Sequence, residues 1–350
     1  MPYSVVDGSI TDDLGRVVFY SADRFMKEIV DEDRCFICGR PRTSTEFNDE
    51  HVIPDWLLRR HSLHDKRIVI PGESDLLYGR YKIPCCRECN SLMARRYEEP
   101  IAERFAAGYA AVTEMFKQDP LTLFGWMNLL FLKVHLKDRV LLLNRDRRVI
   151  SPRISDLYDW PEMHHIHCVA RMVYTNAALA VDALGSIFVF PAKTNLPAGD
   201  FDYADYYPGR AILLRSSDVA IFCVLNDSCG ALNLLMSDLE RITGPLGAAQ
   251  CRELLAHFAY ANMLIKERPQ FYTTIEPDNG RLVISAKVPK QLDAREFSAK
   301  EFGYIAYSLI RNLFSSTPPS KSDDDILEYV RQGRWTFLFD KERRFIKNSI

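Results

Sequence analysis

Cys35-Phe-Ile-Cys38, Glu50-His51-Val-Ile-Pro54 and Cys86-Arg-Glu-Cys89-Asn90 follow one another in the N-terminal part of a 350-residue chain. Each Cys-x2-Cys pair can chelate one edge of a tetrahedron, so the two pairs offer the four thiolates a structural Zn²⁺ takes. Gly39-Arg40-Pro41 supplies the tight turn that lets the backbone fold over such a metal. Between the pairs stand a carboxylate and an imidazole. Cys85 adjoins Cys86, but its spacing to Cys89 is one residue too long for the pattern, and it reads as a packed thiol.

Working outward, Arg16–Tyr20 reads as a short strand and the segment from Ser21 to Val30 as an amphipathic helix that Ser21 can cap. Pro54 fixes the backbone after His51, which predicts a strand ending there and a helical turn through Trp56, Leu57 and Leu58. The polar segment from His61 to Tyr81, with Pro71-Gly72, reads as a loop. From Ser91 to about Phe116 the residues Met93, Tyr97, Ile101, Phe105 and Tyr109 recur at helical spacing, with Pro100 as the expected break.

Beyond Pro120 the chain alternates helical and strand-like segments. Leu121–Asp138, Pro161–Leu184, Ser237–Lys266 (interrupted near Gly244-Pro245) and Phe297–Phe314 read as helices. Ile187–Phe190, Ala211–Arg215, Val219–Leu225 and Arg281–Ser285 read as strands, and the segment from Ser315 to Asp325 has linker-like composition. The fold class expected is therefore α+β, in two domains divided at 1–118 and 119–350, the second a larger mixed α/β domain of unknown type.

Composition narrows the setting. No basic stretch followed by an apolar run marks the N-terminus as a signal peptide, and the longest apolar stretch, Leu121–Val134, is too short to span a membrane. Nine cysteines, four of them in Cys-x2-Cys pairs, favor a reducing compartment, so a cytoplasmic location is expected. The formal net charge of -2 gives no global attraction to nucleic acid. Arginines and lysines run from Arg34 to Arg96, but carboxylates share that span, so a phosphate-binding face and an ordinary solvated surface are equally served.

The order Cys-x2-Cys, Glu-His, Cys-x2-Cys-Asn, helix resembles the HNH nuclease family over roughly 34–97. That resemblance implies an N-terminal ββα-metal domain with a structural zinc on Cys35, Cys38, Cys86 and Cys89. It implies that His51 is the general base that takes a proton from water, a role suited to a neutral imidazole. It further implies that Glu50 and Asn90 hold a catalytic Mg²⁺ or Mn²⁺. Tyr81 stands where the family usually places the Asn that orients the histidine, and is the expected supporting residue. The activity implied is endonucleolytic hydrolysis of phosphodiester bonds, with DNA as partner, in restriction or anti-phage defense. The C-terminal region is expected to serve target choice, regulation or homo-oligomerization.

The rival from another class is a noncatalytic zinc-knuckle module that binds nucleic acid or a protein. His51 would then be structural, Glu50 a surface acid and Asn90 a helix cap. His61 and His64 read as loop residues. His164-His165-x-His167-Cys168 lacks a second ligand pair, and Val224–Gly230 reads as a hairpin turn rather than a nucleophile site around Ser228 or Cys229, since no histidine partner is evident.

Overall fold

The structure, a computed structural model, describes residues 3–70, 76–144, 146, 148–196, 199–314 and 321–347. It is α+β and falls into two compact units that interleave along the chain. One comprises Met1–Glu103, Leu121–Val181 and Phe271–Ser285, the other Arg104–Pro120, Asp182–Gln270 and Ala286–Ile350. This division does not follow the single boundary expected at residue 118, and helix Pro120–Asp138 supplies the reason. It is apolar around nearly its whole circumference and is buried over almost its entire length, so it must be a core element of the first unit.

In chain order, the first unit begins with an antiparallel sheet of β1 (Ser4–Val6), β2 (Ser9–Thr11) and β3 (Val17–Phe19), then α1 (Ala22–Phe25), which the Ser21 hydroxyl caps by accepting from Arg24 N. A wide π-turn over Met26–Asp31 continues it. There follow β4 (Phe47–His51), α2 (Asp55–Arg60), β5 (Lys82–Cys86) and α3 (Arg87–Met93). The helix expected over 91–116 is divided among α3, α4 (Glu99–Ala106) and α5 (Tyr109–Gln118). Pro100 does not cause the division. It sits in the first turn of α4, where a missing N–H is tolerated, after the π-turn Ala94–Glu98. The break falls at Gly108, whose φ of +87° suits glycine.

After α6 (Pro120–Asp138), the helix expected over 161–184 resolves into a 3-10 turn, α7 (His164–Ala170), α8 (Met172–Thr175) and the short strand β6 (Ala178–Leu179). Asn176 in the left-handed region ends α8. The second unit is built on an antiparallel sheet ordered β7-β10-β9-β8, from β7 (Ile187–Pro191), β8 (Phe201–Tyr206), β9 (Ala211–Ser216) and β10 (Val219–Val224). β8 carries a clear alternation of burial that sequence reading passes over. Helix α5, which belongs to this unit, and helices α9 (Gly230–Leu239), α10 (Ala248–Leu264), α11 (Ala299–Ile310) and α12 (Lys321–Arg331) complete it, with α10 packed on the sheet. Strands β11 (Gln270–Ile275) and β12 (Leu282–Lys287) form a further sheet with β6. Pro71-Gly72 and the stretch 315–320 lie outside the described residues. No described helix is long and apolar enough to cross a membrane.

Helix α7 carries a titratable group into the core of the first unit. His165 stacks on Phe271 with ring centroids 3.5 Å apart, and its Nε2 finds no hydrogen-bond partner among the described residues. Burial, and secondarily His164, push it down to about 3. The unfolded chain takes up this proton at an ordinary histidine value of about 6.5 while the folded chain does not, so protons favor unfolding between about pH 6.5 and about 3. His165→Phe keeps the stack and removes the buried polar atom. It is expected to match or exceed wild-type stability at pH 7.5, with the gap widening by about 1.4 kcal/mol per pH unit below 6.5. Urea titrations of both proteins at pH 7.5 and 5.5 would measure this, and parallel pH profiles would refute it.

Candidate metal centers and active site

The two Cys-x2-Cys pairs, far apart in sequence, meet because β4 and β5 pair antiparallel and run straight into α3. The register sets Phe47 against Cys86 and His51 against Lys82. The first pair sits in a turn closed by Cys35 N donating to Arg40 O at 3.0 Å and Gly39 N donating to Cys35 O at 2.8 Å. Gly39 has φ +76°, and a Cβ there would overlap the Tyr20 hydroxyl, so this turn admits only glycine. The second pair straddles a helix start. Cys86 is the N-cap of α3, and its sulfur accepts from Cys89 N at 3.4 Å.

The sulfurs of Cys35, Cys38, Cys86 and Cys89 are buried and lie within 4.8 Å of one another. Four thiolates on a tetrahedral zinc at about 2.3 Å stand about 3.8 Å apart. Cys38 and Cys86 are 3.6 Å apart, so the donor set fits a metal such as zinc. Cys35 and Cys86 are held below the ordinary thiol range by contacts with neighboring sulfurs, and Cys38 and Cys89 are raised by the same contacts. Arg40 Nε lies 3.4 Å from the Cys38 sulfur, where a guanidinium offsets thiolate charge. Cys85 lies outside the set at 3.8 Å from the Cys35 sulfur. Contacts with Cys35 and Cys86, together with burial, keep its thiol well above the ordinary range.

Glu50 and His51 are consecutive on β4, and the strand sends their side chains to different neighbors. Glu50 is buried and accepts from Lys133 Nζ on α6 at 2.8 Å; Lys133 also donates to His51 O at 2.9 Å and lies 3.7 Å from Glu98. Burial works against the charge on Lys133, but Glu50 and Glu98 outweigh it and raise its pKa. Burial likewise raises Glu98, to about 7. The His51 ring faces the other way, with Nδ1 3.7 Å from Asp55 Oδ1. Asp55 opens α2 directly after Pro54, and His64 Nε2 approaches the same oxygen at 2.9 Å. Burial, then Lys82, lower the pKa of His51, which favors the neutral ring. Burial raises the Asp55 carboxyl, yet the bond from His64 and the charge of Arg59 prevail and hold it below its usual range.

Asn90 is not drawn to Glu50: its amide donates to Asn48 Oδ1 at 3.0 Å. Tyr81 is buried, and its main-chain oxygen accepts from Val52 N at 2.9 Å. Several arginines near the motif are engaged with acids, among them Arg34 with Glu32, Arg42 with Asp33, Arg59 with Asp55 and Arg87 with Glu46. That pairing reduces the positive surface available to phosphate.

Asp55 and Lys133 carry roles that the sequence alone does not assign, and His64, expected as a loop residue, joins them. Asp55 stands four residues after His51 at a helix start, and Lys133 is a charge inside an otherwise apolar helix. Both were signals. His64 lacked one, because only the loop closure, with Gly79 N donating to His64 O at 3.0 Å, brings it back.

The other clusters do not assemble. His164 Nε2 lies 2.7 Å from Tyr20 O and 3.8 Å from the Cys168 sulfur, while His167 Nε2 pairs with Phe36 O. Val224–Gly230 is not a hairpin turn: Ser228 and Cys229, both at positive φ, turn β10 into α9. Among the described residues the candidate metal groups are the four cysteines and His51-Asp55-His64. In comparisons with known proteins, no family model, no curated protein and no solved structure matches the chain.

Proposed function

We propose that the chain is a metal-dependent endonuclease of the HNH type that hydrolyzes phosphodiester bonds in DNA, with His51 as the side chain on which hydrolysis depends. What supports this reading is one arrangement. An antiparallel hairpin leads directly into a helix, four cysteines close around the junction, and a partly exposed imidazole stands at the strand end beside a carboxylate. Hydrolysis requires a water to lose a proton while charge grows on the phosphorus oxygens. A neutral His51 can take that proton. Restriction or anti-phage defense is the setting that the resemblance to HNH nucleases implies.

The donor pair the resemblance assigns to the catalytic cation fits poorly. The Glu50 carboxylate is engaged with buried Lys133, and Asn90 is bonded to Asn48. No step is therefore assigned to that pair. The same observation favors a second reading, a noncatalytic zinc-knuckle module that binds nucleic acid or a protein.

Supercoiled plasmid separates the two. Zinc-loaded wild type is expected to nick or linearize it in Mg²⁺, Mn²⁺ or Co²⁺, and His51→Ala to lose about 10²–10⁴-fold in rate. Absence of cleavage with each metal, with DNA binding that His51→Ala leaves unchanged, would favor the noncatalytic module.

A further inference from the structure

We propose that His51, Asp55 and His64 form a binding site for a divalent transition-metal cation, with two imidazoles and one carboxylate as ligands and the remaining positions open to solvent. The ligand atoms of these three residues lie within 4.8 Å of one another. They come from three pieces of backbone that the fold holds independently. His51 closes β4, and its main-chain oxygen is held by Lys133. Asp55 opens α2, and its second oxygen pairs with Arg59 Nη2 at 2.6 Å, which orients the carboxylate as outer partners do around metal ligands. His64 is pinned through its main chain to Gly79.

Exposure matches an open site rather than a sealed one. The side chains of His51, Asp55 and His64 are 20%, 30% and 40% exposed, in contrast to the buried thiols of the cysteine group. Donor chemistry chooses the metal. Imidazole nitrogen suits Zn²⁺, Ni²⁺ and, next to Ni²⁺ in affinity, Co²⁺, whereas Mg²⁺ takes oxygen and keeps its waters. A cation held there would supply a Lewis acid and a bound water acidified toward neutral pH. His51 would then serve as a ligand in place of taking the proton itself, since a metal-bound water is already acidified, and the ligand set would be His51-Asp55-His64 in place of Glu50 and Asn90.

The inference concerns the same site as the nuclease reading and rests on it only for the use to which the cation is put. Its test is binding. Full-length protein with zinc on the cysteines, checked by elemental analysis, is titrated calorimetrically with Co²⁺ in excess Mg²⁺. One further equivalent of Co²⁺ is expected. His64→Ala and Asp55→Asn should each weaken it at least 10-fold while retaining zinc and the wild-type circular dichroism spectrum, and Glu50→Gln should leave the Co²⁺ affinity unchanged.

Failure to take up a further equivalent would overturn the site. So would binding that neither His64→Ala nor Asp55→Asn weakens, or binding abolished in a Glu50→Gln protein that keeps its zinc and the wild-type circular dichroism spectrum. Co²⁺ binding without DNA cleavage would sink the nuclease reading and keep the site. Mg²⁺-dependent cleavage undiminished in both His64→Ala and Asp55→Asn would do the reverse.

Discussion

Cys86→Ser is expected to abolish tight binding of a metal such as zinc by the four cysteines and, with it, the folded state of the hairpin and helix that carry His51 and Cys89. Cys86 does three things at once. It is the last residue of β5, the N-cap of α3 and a member of the four-sulfur group. A serine hydroxyl can still cap the helix, so the helix start should lose little. The metal is another matter. Structural zinc sites contribute about 10–16 kcal/mol of apparent binding energy near neutral pH in small modules, and that energy is folding energy because the unfolded chain has no formed site. That is as large as the whole net stability of an ordinary domain, about 5–15 kcal/mol. Wild type should contain one equivalent of zinc by elemental analysis after exhaustive dialysis, and a chelator should lower its thermal midpoint. Cys86→Ser should contain far less than one equivalent and show no cooperative transition for this part of the chain. Cys85→Ser is the control, since its thiol lies outside the set. A Cys86→Ser protein as stable as wild type, or a wild type that dialyzes free of metal without unfolding, would contradict a structural metal there.

That expectation could be framed from sequence because the ligands announce themselves locally. Two Cys-x2-Cys pairs carry their own spacing, Gly39 marks the turn, and Pro54 marks the end of the strand, so the cysteine group and the position of His51 were legible before any coordinates. The partners of Glu50 were not. Periodicity says that α6 is apolar but not which element it will lie against, and the pairing of Lys133 with Glu50 spans 83 positions of sequence. The interleaving of the two units was hidden for the same reason. Tertiary contacts decide it, and local patterns hold no record of them. Where sequence reading failed within elements, it failed at special backbone. The positive φ of Gly108 and Asn176 breaks helices that periodicity alone would run through, and that of Cys229 starts a helix at Gly230, where the sequence reads as a hairpin turn.

Lys133→Met should be the most destabilizing single change among the buried charged residues of the first unit. Methionine has nearly the shape to fill the space, so packing loss is small. What remains is electrostatic. Removing one partner of a buried ion pair leaves an uncompensated charge, at a cost of about 3–5 kcal/mol. Here Lys133 faces both Glu50 and Glu98, and it also holds the main-chain oxygen of His51. Burial already pushes Glu98 up to about 7 with the lysine beside it, so without the lysine Glu98 is expected to fold protonated. Lys133→Met should therefore lose more stability at pH 8 than at pH 6, because raised carboxyl values favor the folded chain only while protons are available. Adding Glu50→Gln to Lys133→Met should restore a large part of the loss, since a neutral amide tolerates burial better than an unpaired carboxylate. Urea denaturation of the two single variants and the double variant gives the coupling energy directly. Strong coupling between positions 50 and 133 would mark Glu50 as an internal counterion. Additive effects would release its carboxylate from that duty and return it to the candidates for holding a cation beside Asn90.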